Sequence, residues 1–226
     1  MKPNEGLVIA IDGPSASGKS TVSRQVAKAL AFIYVDSGSL YRGMTWKAVH
    51  SGVDVRDAEA VVRMMNDSTW DFFIEERTLF FHIDGVDPRD FIRKEAVRER
   101  VSDVAAIPEV RSFIVARLRD MRDFGSIVME GRDIGSVVFP ETNWKYYLDA
   151  DPEERARRRF KELQVSESTA CVQSVKDSLA RRDHKDTTRA TAPLQIALGA
   201  KVVNTTHMGI DDVVKLIVSE VSSSNG

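Results

Sequence analysis

The chain has 226 residues, and 32 Lys plus Arg stand against 34 Asp plus Glu, which gives a formal net charge of −2. At about 150 residues per domain this length predicts one or two domains, with enough chain for a hydrophobic core that needs no disulfide or structural metal. The even charge balance argues against a protein that binds duplex nucleic acid through a basic surface, although it leaves room for a local basic site.

The sequence also limits where the protein works and what it binds. Cys171 is the single cysteine, so an internal disulfide is impossible and we expect a reducing, cytoplasmic setting. No stretch approaches 18 uncharged apolar residues, so we expect neither a signal peptide nor a membrane span. The four histidines are scattered and predict no zinc site. We therefore expect small-molecule partners, no nucleic acid and no membrane, and a monomer.

Short apolar runs alternate with helical patterns along most of the chain. The predicted buried strands are residues 7–11, 32–35, 126–129, 145–148 and 201–203. The predicted helices are residues 19–30, 37–50, 93–104, 108–123, 151–163, 167–182 and 210–221. Apolar strands that alternate with helices predict parallel βαβ units, and hence an α/β fold with an open parallel sheet flanked by helices.

One region breaks this alternation. Residues 70–75 and 78–83 are two β-rich runs separated by Glu76 and Arg77, which predicts a hairpin or a small antiparallel sheet. Together with the predicted helix over 93–104, this pattern leads us to interpret residues 60–105, approximately, as an inserted subdomain outside the parallel core.

The strongest motif is G-x-x-x-x-G-K-[ST], between the first predicted strand and the first predicted helix: Gly13, Pro14, Ser15, Ala16, Ser17, Gly18, Lys19 and Ser20. Glycines let the backbone curl, so that its N–H groups and the helix N-terminus face one anion. Lys19 is expected to reach the β- and γ-phosphates, and the Ser20 hydroxyl to bind Mg²⁺. The motif predicts nucleoside triphosphate binding over an ordinary glycine-rich turn, but it does not say how the phosphate is used.

Three polar clusters carry arginines that suit an anionic second substrate. Residues 36–42 and 130–133 follow predicted strands, at the sheet edge where open α/β sheets bind ligands, and residues 182–189 follow a predicted helix. Two of these clusters have an alternative interpretation when taken alone: a helix cap at 36–38 and a solvated turn at 130–133. Residues 154–159 are also basic, and alone they favour an exposed helix face over a nucleic-acid patch.

Taken together, these segments resemble bacterial cytidylate kinases, which are P-loop nucleoside monophosphate kinases. The resemblance is carried by residues 11–21, 36–42, 131–140, 154–156 and 182–194, and it extends over about residues 7–218. It implies ATP-dependent phosphorylation of CMP and dCMP, with Mg²⁺ as cofactor. It also implies a P-loop NTPase-type fold in one kinase unit: a core of residues 6–59, 106–150 and 192–226, a monophosphate-binding insert at about 60–105, and a helical lid at about 151–191.

The same resemblance implies roles for individual residues. Lys19, Arg132 and Arg189 would be the catalytic group, which stabilises the transferring phosphoryl group. ATP would bind to the phosphate loop and the lid: Gly13, Pro14, Ser15, Ala16, Ser17, Gly18, Lys19, Ser20, Thr21, Arg155 and Arg158. Three arginines would hold the CMP phosphate, namely Arg42, Arg132 and Arg189, and Ser37 would lie beside it at the start of the helix. The cytosine base would be contacted by Ser102, Arg111 and Asp133. The ribose would be held by Arg182 and Asp186.

Two details of this assignment stay open at the level of sequence. Glu130 stands where an aspartate is expected in many relatives, which could shift the geometry of that carboxylate. Asp133 could orient the neighbouring Arg132 instead of contacting the base. No catalytic base is assigned, because the second pKa of a phosphate monoester is near 6 and the acceptor oxygen is already largely ionised.

Other functions remain alternatives at this stage. Within the same class the alternative is an adenylate kinase or another small-metabolite kinase. The alternatives from other functional classes are a regulatory GTPase, a nucleic-acid-stimulated ATPase and a non-catalytic nucleotide-binding module. The chain contains no N-K-x-D tetrapeptide, which argues against a GTPase, and its charge balance argues against a nucleic-acid motor.

Overall fold

A computed structural model describes residues 6–164 and 171–223 of the chain. Within these residues seven strands form one sheet: β1 (Val8–Asp12), β2 (Ile33–Asp36), β3 (Trp70–Glu75), β4 (Thr78–Ile83), β5 (Ile127–Gly131), β6 (Trp144–Asp149) and β7 (Lys201–Asn204). The strand order is β3-β4-β2-β5-β1-β6-β7, and β2, β5, β1, β6 and β7 run parallel. The predicted α/β fold with a parallel sheet is confirmed.

The described residues form nine α-helices: α1 (Lys19–Leu30), α2 (Ser37–His50), α3 (Ala58–Asp67), α4 (Glu95–Arg98), α5 (Val101–Val104), α6 (Pro108–Asp120), α7 (Pro152–Gln164), α8 (Val172–Thr188) and α9 (Ile210–Ser223). A 3₁₀ turn at Met121–Phe124 ends the predicted helix 108–123, and a π-helical turn at Ile134–Val138 follows β5. The predicted helix 93–104 is instead two single turns, α4 and α5. None of these helices is long and apolar enough to cross a membrane.

Helix α3 was not predicted, although its sequence carries the usual signals. The Asp57 carboxylate caps the helix and accepts a hydrogen bond from the Ala60 backbone N at 3.0 Å. Val61 and Met65 are buried four residues apart, the spacing of one helix face. Helix α8 also differs from the prediction, because it continues to Thr188 and therefore contains residues 182–188, which we expected to follow a helix. Residues 167–170 of that predicted helix lie outside the described residues.

The hairpin of β3 and β4 is antiparallel, as predicted, but it does not form a sheet of its own. The Tyr34 backbone N donates to Arg77 O at 2.8 Å, and β2 pairs with β4 in parallel at Tyr34 and Thr78. Leu79 and Phe81 of β4 belong to the same hydrophobic cluster as Val35 of β2. Shared burial therefore attaches the hairpin to the edge of the parallel sheet, which corrects the expectation that its strands lie outside the core sheet.

Helices cover both faces of the sheet. One hydrophobic cluster joins the sheet to α2 and α6, and a second joins the opposite face to α1 and α9. Strand β1 is buried throughout, as a central parallel strand should be. In register, Asp12 lies beside Gly131 and Asp36 beside Glu130, so the carboxyl ends of β1, β2 and β5 meet at one edge. This edge carries the site described next.

Candidate nucleotide-binding site

The phosphate loop lies where the motif predicts, between the end of β1 at Asp12 and the start of α1 at Lys19. Gly13 has a φ of +147°, and a Cβ there would lie 2.1 Å from the Leu148 carbonyl oxygen. Gly18 has a φ of +94° and directly precedes the helix. The backbone itself therefore requires glycine at these two motif positions.

Lys19 bends back along the loop. Its Nζ donates to Pro14 O at 2.6 Å and lies 3.4 Å from Ser17 Oγ, and the side chain is almost fully buried. Burial and the nearby charge of Arg132 lower the pKa of Lys19 to about 7, while Glu130 acts in the opposite direction. A buried ammonium beside another cation favours an anionic ligand. Ser20, the predicted Mg²⁺ ligand, is exposed in the first turn of α1, as is Thr21.

Arg132 joins three elements at the sheet edge. Its Nη2 donates to Ser15 Oγ of the phosphate loop at 2.7 Å. Its Nε donates to Asp186 Oδ2 of α8 at 2.9 Å. The structure therefore brings the predicted catalytic Arg132 and the predicted ribose ligand Asp186 directly to the loop that is expected to hold ATP.

Asp133, the next residue, contacts different partners. It forms a buried ion pair with Arg111 of α6, whose Nη1 also donates to Ala105 O at 3.2 Å. Arg189 Nη2 lies 3.8 Å from Asp133 Oδ1. Burial raises the pKa of the Asp133 carboxyl, against the effect of Arg111 and Arg189. Asp133 thus faces the other two arginines, and Arg132 is oriented by Ser15 and Asp186.

Several arginines predicted to bind CMP keep a buried nitrogen that has no hydrogen-bond partner. These atoms are Nε of Arg42, Nε of Arg111, Nε of Arg182 and Nη2 of Arg189. Burial and the charge of Arg132 lower the pKa of Arg182 to about 10, and burial and Arg111 lower that of Arg189. Buried polar groups almost always have a hydrogen-bond partner, so these nitrogens without a hydrogen bond, together with the mutual repulsion of the cations, suit an anionic, polar ligand.

The end of β2 and the start of α2 complete this edge. Asp36 caps α2 by accepting from the Ser39 backbone N at 3.1 Å, and it also pairs with Arg42 at 2.6 Å. Asp36 is therefore a helix cap, as the alternative interpretation held. A cap at this position does not prevent the segment from contributing to a nucleotide-binding site. Ser37 Oγ donates to the Glu130 carbonyl at 2.6 Å, which places Ser37 against β5.

Ser102 is the predicted base-contacting residue that the structure does not join to the others. Among the contacts of the described residues, none links it to Arg111 or Asp133. It is half-buried in α5 and lines a cavity of about 550 Å³ together with Arg182 and Arg159. The structure therefore brings together two of the three residues predicted to contact cytosine, Arg111 and Asp133.

The arginines of α7 lie in two different environments. Arg155 is buried: it pairs with Asp183 and donates to the Ser15 carbonyl at 3.2 Å. Arg158 Nη2 donates to the Thr205 carbonyl at 2.6 Å, and Thr205 Oγ1 donates to Ser17 O at 3.0 Å. Both predicted ATP ligands thus lie against the phosphate loop. In contrast, Arg157 and Arg159 make ion pairs within α7 to Glu154 and Glu162.

Asp12 is a site residue that sequence reasoning missed. Its two carboxylate oxygens accept from the backbone N of Ile134 and of Gly135, each at 2.8 Å. Burial raises the pKa of Asp12 to about 6, against these two hydrogen bonds. Asp12 therefore fixes the turn that carries Asp133 to the strand that carries the phosphate loop. The available signal was a carboxylate at a strand end, immediately before the motif.

A phosphate loop at the edge of a parallel sheet, together with a partly buried arginine cluster at the same edge, defines a P-loop phosphotransferase. Residues 9–223 match the family model described as "Cytidylate kinase". A cytidylate kinase of Pelotomaculum thermopropionicum is 42% identical over 216 residues, covering 95% of this chain and 96% of the relative. One of Geobacillus kaustophilus is 40% identical over 220 residues, covering 97% and 98%. This chain belongs to the cytidylate kinase family, and the alternative functions are not favoured.

A solved structure agrees at the level of fold. An uncharacterized protein from Eubacterium ventriosum has a TM-score of 0.51 with 9% sequence identity, and the match covers 96% of this chain and 99% of that chain. At this identity the likeness concerns the fold alone.

Proposed function

We propose that this chain transfers the γ-phosphoryl group of ATP to CMP, and also to dCMP, to give ADP and the diphosphate. The main support is the partly buried arginine cluster on the phosphate-loop side of the sheet edge, in which four guanidinium groups each have one buried nitrogen without a hydrogen-bond partner. A nucleoside monophosphate would supply acceptors for these donors and a charge that offsets their repulsion. Membership of the cytidylate kinase family supports cytidine as the nucleoside.

In the proposed reaction, a phosphate oxygen of CMP attacks the γ-phosphorus of ATP as the bond to the β–γ bridging oxygen breaks. ADP leaves with that oxygen, and no general base is needed because the attacking oxygen is already ionised. Lys19, Arg132 and Arg189 neutralise the charge that spreads over the transferring group. Arg132 is well suited to this role because it is already hydrogen-bonded to Ser15 of the phosphate loop.

Mg²⁺ fits this site with few protein ligands. Ser20 presents an exposed hydroxyl in the first turn of α1, directly after Lys19. No cluster of three or more His, Cys, Asp or Glu that could hold a metal is found in residues 6–164 and 171–223. Mg²⁺ in nucleotide sites typically takes one or two protein oxygens together with phosphates and waters, so Ser20 suffices as a protein ligand. When bound, the ion would neutralise the β- and γ-phosphates.

Asp133 and Arg111 are proposed to select cytosine. The carboxylate can accept from the exocyclic N4 amino group, and the guanidinium can donate to the N3 and O2 edge. Uracil would place an oxygen against the carboxylate and a proton against the guanidinium. Each mismatched buried group costs about 1–3 kcal/mol, so CMP should exceed UMP by well over about tenfold in kcat/KM. The Arg111–Asp133 ion pair, which is nearly dry, supports this selectivity.

We also propose that residues 60–105 act as the acceptor-binding insert and residues 151–191 as a lid, which close around both nucleotides to exclude water. The support is the cavity of about 550 Å³, because Ser102 lines it from one region and Arg182 from the other. Distance labels on these two regions should approach each other when both nucleotides bind. An unchanged distance with both ligands bound would contradict closure. A monomer in the cytoplasm stays our prediction for the working form.

The experiment that tests the function mixes the purified full chain with Mg-ATP and one nucleoside monophosphate at a time: CMP, dCMP, UMP, AMP or GMP. ADP release and the nucleoside diphosphate are both measured, so that ATP hydrolysis is distinguished from transfer. We expect stoichiometric CDP and ADP with CMP. Preferential phosphorylation of AMP, or ADP release without any diphosphate product, would contradict the proposal.

A further inference from the structure

A tyrosine hydroxyl holds the buried carboxylate at the end of β5. Tyr34 Oη donates to Glu130 Oε1 at 2.6 Å, a length typical of a charge-assisted O–H···O⁻ bond. Tyr34 is 2% exposed and Glu130 is 5% exposed. Solvent therefore does not compete for this hydrogen bond, which is stronger for being in a low-dielectric interior.

The register of the sheet explains why these two side chains meet. Tyr34 pairs with Val128, and Asp36 pairs with Glu130, in the parallel β2–β5 ladder. Alternate residues of a strand share a face, so Tyr34 and Glu130 are diagonal neighbours on one face of the sheet. Helix α1 packs on this face, and Val22 belongs to the same hydrophobic cluster as Tyr34. Packing therefore fixes the ring and leaves the hydroxyl directed at Glu130.

Glu130 lies near two cations that repel each other. The charge of Arg132 lowers the pKa of Lys19, and the charge of Glu130 raises it. Asp186, which pairs with Arg132 at 2.9 Å, acts most strongly to raise the pKa of Arg132, and Asp183 and Glu130 act in the same direction. Two buried cations so close together need a fixed counter-charge if both are to stay charged and in place. Asp186 supplies such a charge to Arg132 directly, and Glu130 adds a second carboxylate at the end of β5, two residues before Arg132.

We propose that Tyr34 is a positioning residue for phosphoryl transfer: its hydroxyl holds the Glu130 carboxylate as a counter-charge for Lys19 and, together with Asp186, for Arg132. This inference rests on the function proposed above, since it assigns those two cations to the transferring phosphoryl group. Burial and the charges of Glu130 and Asp36 raise the pKa of Tyr34, so its hydroxyl remains a donor. This role would also explain why the chain has glutamate and not aspartate at position 130. The shorter aspartate side chain would place its carboxylate farther from the Tyr34 hydroxyl.

The test compares Tyr34→Phe, Glu130→Asp and the double variant with the wild-type chain. The matched control is Tyr146→Phe, which removes another tyrosine–glutamate hydrogen bond, from Tyr146 Oη to Glu220 Oε2 at 3.1 Å, outside the site. We expect Tyr34→Phe to lower kcat about tenfold, the effect of losing one hydrogen bond to a charged group. The KM values for ATP and CMP should change less than about twofold, and the control should keep the wild-type kcat.

The double variant separates positioning from general stability. If Tyr34 acts through Glu130, Glu130→Asp should lower kcat by a similar factor, and adding Tyr34→Phe should lower it less than about twofold further. Losses that multiply in the double variant, or a folded Tyr34→Phe with full kcat, would overturn the proposal. If thermal melting shows that Tyr34→Phe does not fold, an undiminished kcat in Glu130→Asp overturns it instead. A wild-type chain that does not phosphorylate CMP would overturn the proposed function, and the role of Tyr34 with it.

Discussion

Two arginine-rich regions of this molecule use the same side chain in different ways. The first region is the group of arginines predicted to bind CMP. Here Arg111 pairs with Asp133 and Arg132 pairs with Asp186, and in both pairs the partners come from different elements. On the outer face of α7, Arg157 pairs with Glu154 within one turn of the same helix. The Arg111 and Asp133 side chains are 3% and 6% exposed, whereas that of Arg157 is 57% exposed.

This difference separates the arginines that we propose to hold a ligand from arginines on a solvated helix face. An exposed pair between neighbours on one helix is screened by water and adds little to stability. A buried pair between separate elements carries a desolvation cost that packing alone does not explain, so it is better accounted for by function. Arg155 resembles the first group, because it is buried and donates to the Ser15 carbonyl of the phosphate loop.

The largest expected effect comes from Lys19, which is buried at the phosphate loop. Lys19→Ala should lower kcat about 100-fold or more, because it removes a preorganised charge from the transferring phosphoryl group. Steady-state kinetics with Mg-ATP and CMP measure the loss, and thermal melting checks that the variant is folded. Near-normal turnover in a folded Lys19→Ala variant would contradict the catalytic role of this residue.

The second prediction asks whether the buried ion pair contacts the base. Asp133→Asn keeps the size of the side chain but can present its amide to the O4 of uracil, so the preference for CMP over UMP should narrow by about tenfold. The measurement is kcat/KM for both nucleotides with the wild type and the variant in parallel. Equal losses on CMP and UMP, with an unchanged ratio, would make Asp133 a structural support for Arg111 and Arg189.

Much of the fold and the centre of the site could be predicted from sequence because their signals are local. The β1 strand, the phosphate loop and α1 are contiguous, and the spacing of Gly13, Gly18 and Lys19 fixes their geometry. The arginine clusters could be assigned through the family resemblance. What could not be predicted depends on register between distant strands: the attachment of the hairpin through Tyr34 and Thr78 has no signal in either segment alone.

Asp12 was missed as a site residue for the same reason, because its contacts depend on distant parts of the chain. Asp12 matters because its two oxygens meet the backbone N of Ile134 and Gly135, more than a hundred positions away in the chain. Its sequence neighbours show only a carboxylate that ends an apolar strand. The extension of α8 to Thr188 was missed for a different reason, because the polar cluster at residues 182–189 suggested a loop, whereas Leu179 and Asp186 are both buried on one face of the helix.

The last prediction tests the comparison directly with one conservative change in each region. Arg189 Nε donates to the Ala192 carbonyl at 2.7 Å, while its Nη2 has no hydrogen-bond partner. Arg189→Lys keeps the charge, but a single ammonium cannot hold Ala192 and also present a planar fork to the CMP phosphate. We expect kcat/KM for CMP to fall about tenfold. The matched variant Arg157→Lys should change it less than about twofold, since that side chain only pairs with Glu154 on an exposed face.

Both variants are measured with CMP as the varied substrate at saturating Mg-ATP, and then with ATP varied, because Arg189 is assigned to the acceptor. The KM for ATP should stay within about twofold of the wild-type value in each. Full activity in Arg189→Lys would show that the planar geometry of the guanidinium is not used. A comparable loss in Arg157→Lys would show that the outer face of α7 also takes part in the reaction. Either result would remove the distinction between the two arginine-rich regions, because burial and the origin of the partner would no longer indicate which arginines bind the nucleotide.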